Sequence, residues 1–149
     1  MITNEYGIHT FSLKLQCKYS EIQNIIEQNE CIRTSKGKLG LSPYYQMPQF
    51  KDIGVEIQLG QSVSHPCWLI LIVNPSSLLA GTYEPTALFQ ADEESVQQVK
   101  YRLRNILDKI GVDRRLKEFK LSRCDLTCNL YYERKADIQD RLDIFKKSF

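Results

Sequence analysis

The side chains best suited to chemistry lie in the segment Phe119–Tyr132, where polar and apolar residues alternate. Alternation with a period of two predicts a β-strand whose two faces differ. One face carries a polar row, which we expect on the helix-free face of a central or near-central strand: Arg123, Asp125, Thr127, Asn129 and Tyr131. The opposite face carries an apolar row, which we expect to lie under helices: Cys124, Leu126, Cys128 and Leu130.

The polar row has two explanations from its pattern alone. Antiparallel sheets commonly show one face to water, and these residues would then be ordinary solvent contacts. However, Asp and Asn are depleted in strands, so a functional role has to be weighed. Asp125 and Asn129 supply oxygens that suit Mg²⁺ or Mn²⁺, with Glu56 as a further carboxylate from a strand expected to be adjacent. With so few charged ligands, we expect any such ion to be weakly held, and Arg123 to contact phosphate.

A basic segment precedes and overlaps this strand. Residues 100–123 contain nine Lys and Arg residues against three acidic ones. A solvated helix face and a phosphate-binding surface both fit this count, and both remain open. The second interpretation predicts a nucleic-acid surface that includes Thr127 and Tyr131 together with five arginines: Arg102, Arg104, Arg114, Arg115 and Arg123.

The segment Arg123-Cys-Asp125-Leu-Thr-Cys-Asn129 resembles the Arg-x-Asp-Leu-x-x-Asp strand of rolling-circle replication initiators from phages, plasmids and mobile elements. Val73-Asn74-Pro75 with Leu78-Leu79 also resembles a segment of the phage-type members. The resemblance implies strand nicking by a tyrosine with a metal ion on the phosphate. It makes Asp125 a candidate metal ligand, whereas Asn129 lacks the charge of the family's second acid. We find no counterpart of the nucleophilic tyrosine.

The other candidate groups are weaker. His9 and His65 are too far apart in sequence to form a His-x-His metal pair. Cys124 and Cys128 would stand about 13 Å apart on a strand, too far to share one zinc ion. Four tyrosines are candidates for base stacking, although packing is the commoner role of such residues: Tyr44, Tyr45, Tyr131 and Tyr132.

The elements that must position these residues follow from periodicity. Strands are predicted over 11–17, 53–59 and 68–73, in addition to 119–132. The continuous apolar run 68–73 is expected to be a central strand buried on both faces. Helices are predicted from Ser20, through a capping box with Gln23, and from Asp92 to Gly111. Residues 75–91 are expected to be mostly irregular. The order β-α-β-β-α-β-α, with residues 36–49 as a turn or irregular edge, predicts an α+β fold, an antiparallel sheet with helices on one face, ferredoxin-like or RNA-recognition-like.

Length and composition bound the class of protein. The chain has 149 residues, 42% hydrophobic and 26% charged, which indicates a single globular domain over 1–149. The longest apolar run is too short to span a membrane, and the N-terminus lacks signal-peptide character. Five scattered cysteines indicate reduced thiols, so we expect a cytoplasmic protein without a membrane partner.

The C-terminus carries a helical pattern of apolar residues up to the last position: Ile138, Leu142, Phe145 and Phe149. A short native tail and the N-terminal part of a longer protein both fit this pattern.

Two functions fit the sequence. One is the DNA-binding part of a rolling-circle replication initiator, half of its nicking domain, which contacts single-stranded or hairpin origin DNA. The alternative is a non-catalytic interaction module that binds a protein through an open sheet face, or forms a dimer through residues 138–149. Whether the chain is an enzyme stays open.

Overall fold

The computed structural model describes residues 3–34, 44–131 and 143. Three α-helices are found in this part of the chain: α1 (Tyr19–Gln28), α2 (Pro75–Ala80) and α3 (Glu93–Lys109). Six strands accompany them: β1 (Thr3–Cys17), β2 (Ile32–Thr34), β3 (Tyr44–Met47), β4 (Val55–Gly60), β5 (Cys67–Val73) and β6 (Lys120–Tyr131). Short 3₁₀ segments lie at Pro48–Ile53 and Leu116–Glu118. The C-terminal helical pattern at 138–149 falls outside the described residues, apart from Asp143.

All six strands form one antiparallel sheet in the order β2-β3-β4-β5-β1-β6. The predicted α+β fold is confirmed. β1, β4, β5 and β6 with their intervening helices follow the split β-α-β-β-α-β plan. The short hairpin of β2 and β3 extends the sheet beyond β4. In the described chain, no helix is long and apolar enough to cross a membrane.

One face of the sheet, the inner face, carries the hydrophobic core. Alternate residues of β4 and β5 are fully buried there, as are Ile22 of α1 and Leu107 of α3. β1 contributes Leu15 and Cys17 to the same cluster. The side chains between them on each strand point to the outer face and stay outside this cluster. The helices therefore cover one face, as the sequence predicted.

The N-cap predicted for α3 is confirmed, and the one predicted for α1 is wrong. Asp92 caps α3, because its carboxylate accepts a hydrogen bond from Ser95 N at 2.9 Å. For α1 the predicted Ser20 cap is wrong: Lys18 is the N-cap, and Glu21 accepts from its backbone N–H at 2.6 Å. Residues 75–91 also contain α2, a helix that the prediction missed.

β6 is an edge strand, so the prediction of a central or near-central position is wrong. Its face assignment is right, because Cys124 pairs with Phe11, which packs against the core. The expected burial is wrong: Cys124 and Cys128 are exposed, and Leu126 is 80% exposed. β1 continues far beyond its pairing with β5, and the helix layer of the described chain does not cover this end.

Two glycines with positive φ offer a matched test of packing beneath the sheet. Gly54 has φ +81°, and a Cβ there would lie 2.5 Å from Ser77 Cβ and 2.9 Å from Asn74 O. Gly81 has φ +72°, but a Cβ there meets nothing within 4 Å. We expect Gly81→Ala to lower the free energy of unfolding by about 1 kcal/mol, through backbone strain alone.

Gly54→Ala should cost more than about 2 kcal/mol, because steric overlap is added to the same strain. Urea unfolding of both variants, followed by circular dichroism, measures the difference. Equal losses in the two variants would contradict the close packing of Gly54 against α2.

Candidate nucleic-acid interface

The outer face of the sheet presents a band of partly exposed side chains across three neighbouring strands. β5 contributes Trp68, Ile70 and Ile72, which are half-buried. Its expected burial on both faces is therefore not found in the described chain. β1 adds Lys14 and Gln16, and β4 adds polar side chains at 56 and 58. This surface mixes aromatic, aliphatic, polar and cationic groups.

Two aromatic residues on this face stand on either side of a glycine. Tyr44 of β3 pairs with Gly60 of β4, and Gly60 pairs with Trp68 of β5. Because adjacent strands are about 4.8 Å apart, the two aromatic positions are separated by roughly 10 Å. Gly60 has no side chain to fill the gap. Lys14 Nζ lies 3.8 Å from the centroid of the Trp68 ring, a cation–π contact.

Asp125 is held at the edge of this face by two hydrogen bonds. Thr10 Oγ1 donates to Asp125 Oδ2 at 2.6 Å, and Arg123 Nε donates to Asp125 Oδ1 at 2.8 Å. These bonds favour the charged carboxylate and lower the pKa of Asp125, with the Thr10 bond as the largest cause. Asp125 is therefore ionised at neutral pH, and both of its oxygens already have protein donors.

The structure does not bring the predicted metal ligands together. Glu56 lies on β4, which β5 and β1 separate from β6, a distance of roughly 14 Å across three strand spacings. The expectation that it neighbours Asp125 is wrong. Asn129 lies further along β6, where its Nδ2 donates to Thr86 O at 2.7 Å. Among the described residues no three acidic, His or Cys side chains form a group that could hold a metal ion.

The predicted nucleic-acid residues fall on different surfaces. Arg123 pairs with Ser12, which places it on the outer face, and Thr127 follows on the same side of β6. Tyr131 is the last residue of that strand. Arg102 and Arg104 lie on α3, on the helix side of the sheet.

Arg114 is engaged within the protein. Its Nη1 donates to Glu21 Oε1 at 2.9 Å, and its Nε lies 3.1 Å from Glu118 Oε1. The two carboxylates raise the pKa of Arg114 against the opposing effect of desolvation. Arg114 therefore links α1 to the 3₁₀ segment and offers little charge to a ligand, in contrast to its exposed neighbour Arg115.

A groove of about 910 Å³ lies between α3 and the inner face of β1 and β6; we call it the α3–β6 groove. Phe11, Leu13 and Leu121 are among its apolar lining residues, and Arg104 and Arg115 lie at it as well. The sequence does not predict this groove. Cys124, which lines it, belongs to the apolar row of β6 that was expected to lie under helices.

The remaining candidates divide between the two faces. Tyr45 packs against the core rather than on the outer face. His9 Nε2 lies 3.2 Å from Pro85 O, and His65 contacts Ser64 in an exposed turn. All five cysteines are free thiols, and burial raises the pKa of Cys17 to about 11. Of these groups, His9 is close enough to Asp125 to contribute, as a minor cause, to the lowered pKa of that carboxyl.

Comparison of the chain with protein-family models, with curated proteins and with solved structures gave no match.

The Asp125 hydrogen bonds lead to a prediction about its titration. Thr10→Val removes the bond that contributes most, so it should raise the pKa of Asp125 towards the ordinary value for aspartate. Arg123→Gln should raise it less, because Arg123 is 72% exposed and water weakens its effect. Carboxyl ¹³C NMR titration measures both shifts.

The same bonds have a consequence for stability. Because folding lowers this pKa, the stabilisation is present above the pKa of the unfolded state and is lost as pH falls through the folded value. Thr10→Val should therefore reduce the acid sensitivity of folding. A larger shift in Arg123→Gln than in Thr10→Val would contradict the order of the two contributions.

Proposed function

We propose that this protein is the single-stranded DNA-binding part of a rolling-circle replication initiator of a mobile genetic element. The observation that carries the proposal is the outer face, where Trp68 and Tyr44 flank Gly60 beside the cation of Lys14. Sheet aromatics that stack unpaired bases, with cations for the phosphates, are the usual means of binding single strands. The resemblance of the Arg123–Asn129 segment supports the choice of initiator.

Further cations lie on the same face as the aromatic positions. Lys14 pairs across the β1–β6 ladder with Lys120, and Arg123 pairs with Ser12 further along β1. A strand of DNA that stacks a base on Trp68 would meet Lys14 first, and Lys120 and Arg123 two strands away could contact phosphates further along it. Duplex DNA fits less well, since its bases are stacked on one another and unavailable to a sheet.

Metal binding and catalysis are considered separately from DNA binding. Asp125 remains the candidate ligand that the resemblance implies, and weak binding of Mg²⁺ or Mn²⁺ stays a prediction. With both carboxylate oxygens engaged by Thr10 and Arg123, a metal would have to share or replace those donors. We therefore propose that residues 1–149 bind DNA and that further groups are needed for nicking.

A protein-interaction module is the second candidate. Ile70 and Ile72 make the centre of the outer face partly apolar, and half-exposed aliphatic residues suit a protein partner better than a phosphate backbone. In this interpretation the chain binds no DNA at low salt, and the outer face packs against another polypeptide. The dimer predicted through residues 138–149 belongs to this second candidate.

The proposal predicts salt-sensitive binding of a labelled oligothymidylate of about 16 nucleotides, and of a hairpin with an unpaired loop. Trp68→Ala should weaken binding about tenfold, since stacking of one base contributes about 1–3 kcal/mol. Arg123→Gln should lower the slope of log affinity against log salt by about 0.7, as one phosphate contact is lost. Fluorescence anisotropy measures both effects.

Matched controls come from α3. Tyr101→Ala removes an aromatic residue that is 67% exposed on the helix side, and Arg102→Gln removes a cation from the same helix. Neither should change DNA affinity by more than about twofold. Absence of binding to any of these DNAs at low salt would remove the initiator hypothesis. If only the α3 variants lose binding, the DNA binds on the helix side of the sheet instead of the outer face.

A further inference from the structure

The α3–β6 groove has an apolar floor that is open to solvent. Phe11 and Leu13 of β1 are partly buried in it, while Leu121 of β6 is 64% exposed. Val96 and Val99 of α3 form the opposite wall. A pocket for a small ligand would enclose most of its occupant, whereas this floor lies along an edge strand. The shape suits a helix laid against the sheet, as α1 and α3 already are.

The charged residues at the groove are predominantly basic. Four exposed cations line it: Lys100, Arg104, Arg115 and Lys117. Asp108 and Asp113 are the two acidic residues among the lining side chains, and the charge of Arg114 is offset by Glu21 and Glu118. A partner with acidic side chains on both sides of an apolar stripe would therefore bind the groove more tightly than one without them.

We propose that the α3–β6 groove binds an amphipathic helix of another protein, whose apolar side is flanked by Asp and Glu. This function goes beyond DNA binding and uses the opposite face of the sheet. Its recognition has two parts: apolar contact with Phe11, Leu13 and Leu121, and charge pairing with Arg104 and its basic neighbours. Both parts are required for specificity, because apolar contact alone accepts any amphipathic helix.

Nucleic acid is a poorer occupant of this groove. Its floor is aliphatic apart from Phe11 and Phe89, so it offers few stacking surfaces and no row of polar groups for base edges. A phosphate backbone along the basic rim would leave Leu13 and Leu121 facing water. An occupant that buries this apolar area accounts for it better than a phosphate backbone does.

The chain's own C-terminal residues are a poorer match by their charge. Residues 133–149 carry five basic and four acidic side chains, so they lack the acidic excess that a basic rim favours.

The test uses the full chain and two fluorescent synthetic peptides of about 15 residues, a length near that needed for an isolated helix. Both carry the same leucine stripe, flanked by Glu in one peptide and by Lys in the other. We expect the Glu peptide to bind at least tenfold more tightly at low salt, and the difference to shrink as salt screens the rim. Equal binding of the two peptides, or no binding of the Glu peptide, overturns the proposal.

Matched variants locate the binding. Arg104→Glu should weaken the Glu peptide about fivefold or more, whereas Arg102→Glu makes the same charge change outside the groove lining and should not. Leu121→Asp should also weaken it, with the 80% exposed Leu126→Asp as its control. If Arg102→Glu and Arg104→Glu weaken binding of the Glu peptide equally, the placement of the peptide in the α3–β6 groove is overturned.

Two further outcomes separate the other occupants from the proposed one. If oligothymidylate displaces the Glu peptide, and Arg104→Glu weakens the oligonucleotide as well, the groove is a nucleic-acid surface and the proposal fails. If the peptide binds only after Leu142→Asp and Phe145→Asp are introduced, the C-terminal segment is the occupant and an external partner is excluded. Thermal unfolding of each variant confirms that it is folded.

Discussion

The structure depends on the hydrogen-bond ladders of β1, which joins the body of the sheet to β6. Its residues Phe11–Cys17 pair with β5, and pairing with β6 extends from Thr3 to Lys14. No other strand of the described chain pairs with both β5 and β6. Because side chains alternate along β1, each side chain points either to the inner face or to the outer face of the sheet. This alternation determines which β1 residues contribute to the outer face and which to the α3–β6 groove.

Two irregularities in the β1–β6 ladder determine which residues of β6 meet which residues of β1. The register shifts between Ile8 and Thr10, and again between Ser12 and Leu13. The first shift brings Thr10 opposite Asp125, where its hydroxyl donates to the carboxylate. The second keeps Leu121 beside Leu13 at the groove, with Lys120 beside Lys14 on the other face. Bulges of this kind redirect side chains without ending the pairing.

The sheet thereby separates two chemistries that the sequence presents as one basic segment. Arg123 and Lys120 reach the outer face, which also carries Trp68, while Arg104, Arg115 and Lys117 border an apolar groove. The two sets face opposite sides of the sheet. We therefore propose that DNA binds the outer face and a partner helix binds the groove, so that the protein would hold both at once.

Much of the fold was predictable because it rests on local periodicity. The alternation in β4 and the stripe of α3 each identified the correct element and its buried side, whereas the alternation in β6 identified the strand and its faces but not their exposure. What the sequence did not reveal depends on contacts between distant residues. Exposure of Cys124 and Leu126 reflects how far the helices extend over the sheet, and the Thr10–Asp125 bond joins residues 115 positions apart.

The distance between Glu56 and Asp125 likewise depends on strand order, which no local pattern encodes. The α2 helix was missed for a different reason. Its six residues are too few to show a period, and its start is marked only by Asn74, which accepts from Ser77 N, and by Pro75.

The assignment of DNA to the outer face is tested most directly by amide chemical shifts in a titration of ¹⁵N-labelled protein with oligothymidylate. Our account predicts that shifts concentrate at Lys14, Trp68 and Arg123, with the Trp68 indole N–H among the largest. The amides of Lys100 and Arg104 in α3 should remain unchanged. Shifts confined to α3 and the groove, with Trp68 unperturbed, would contradict the account.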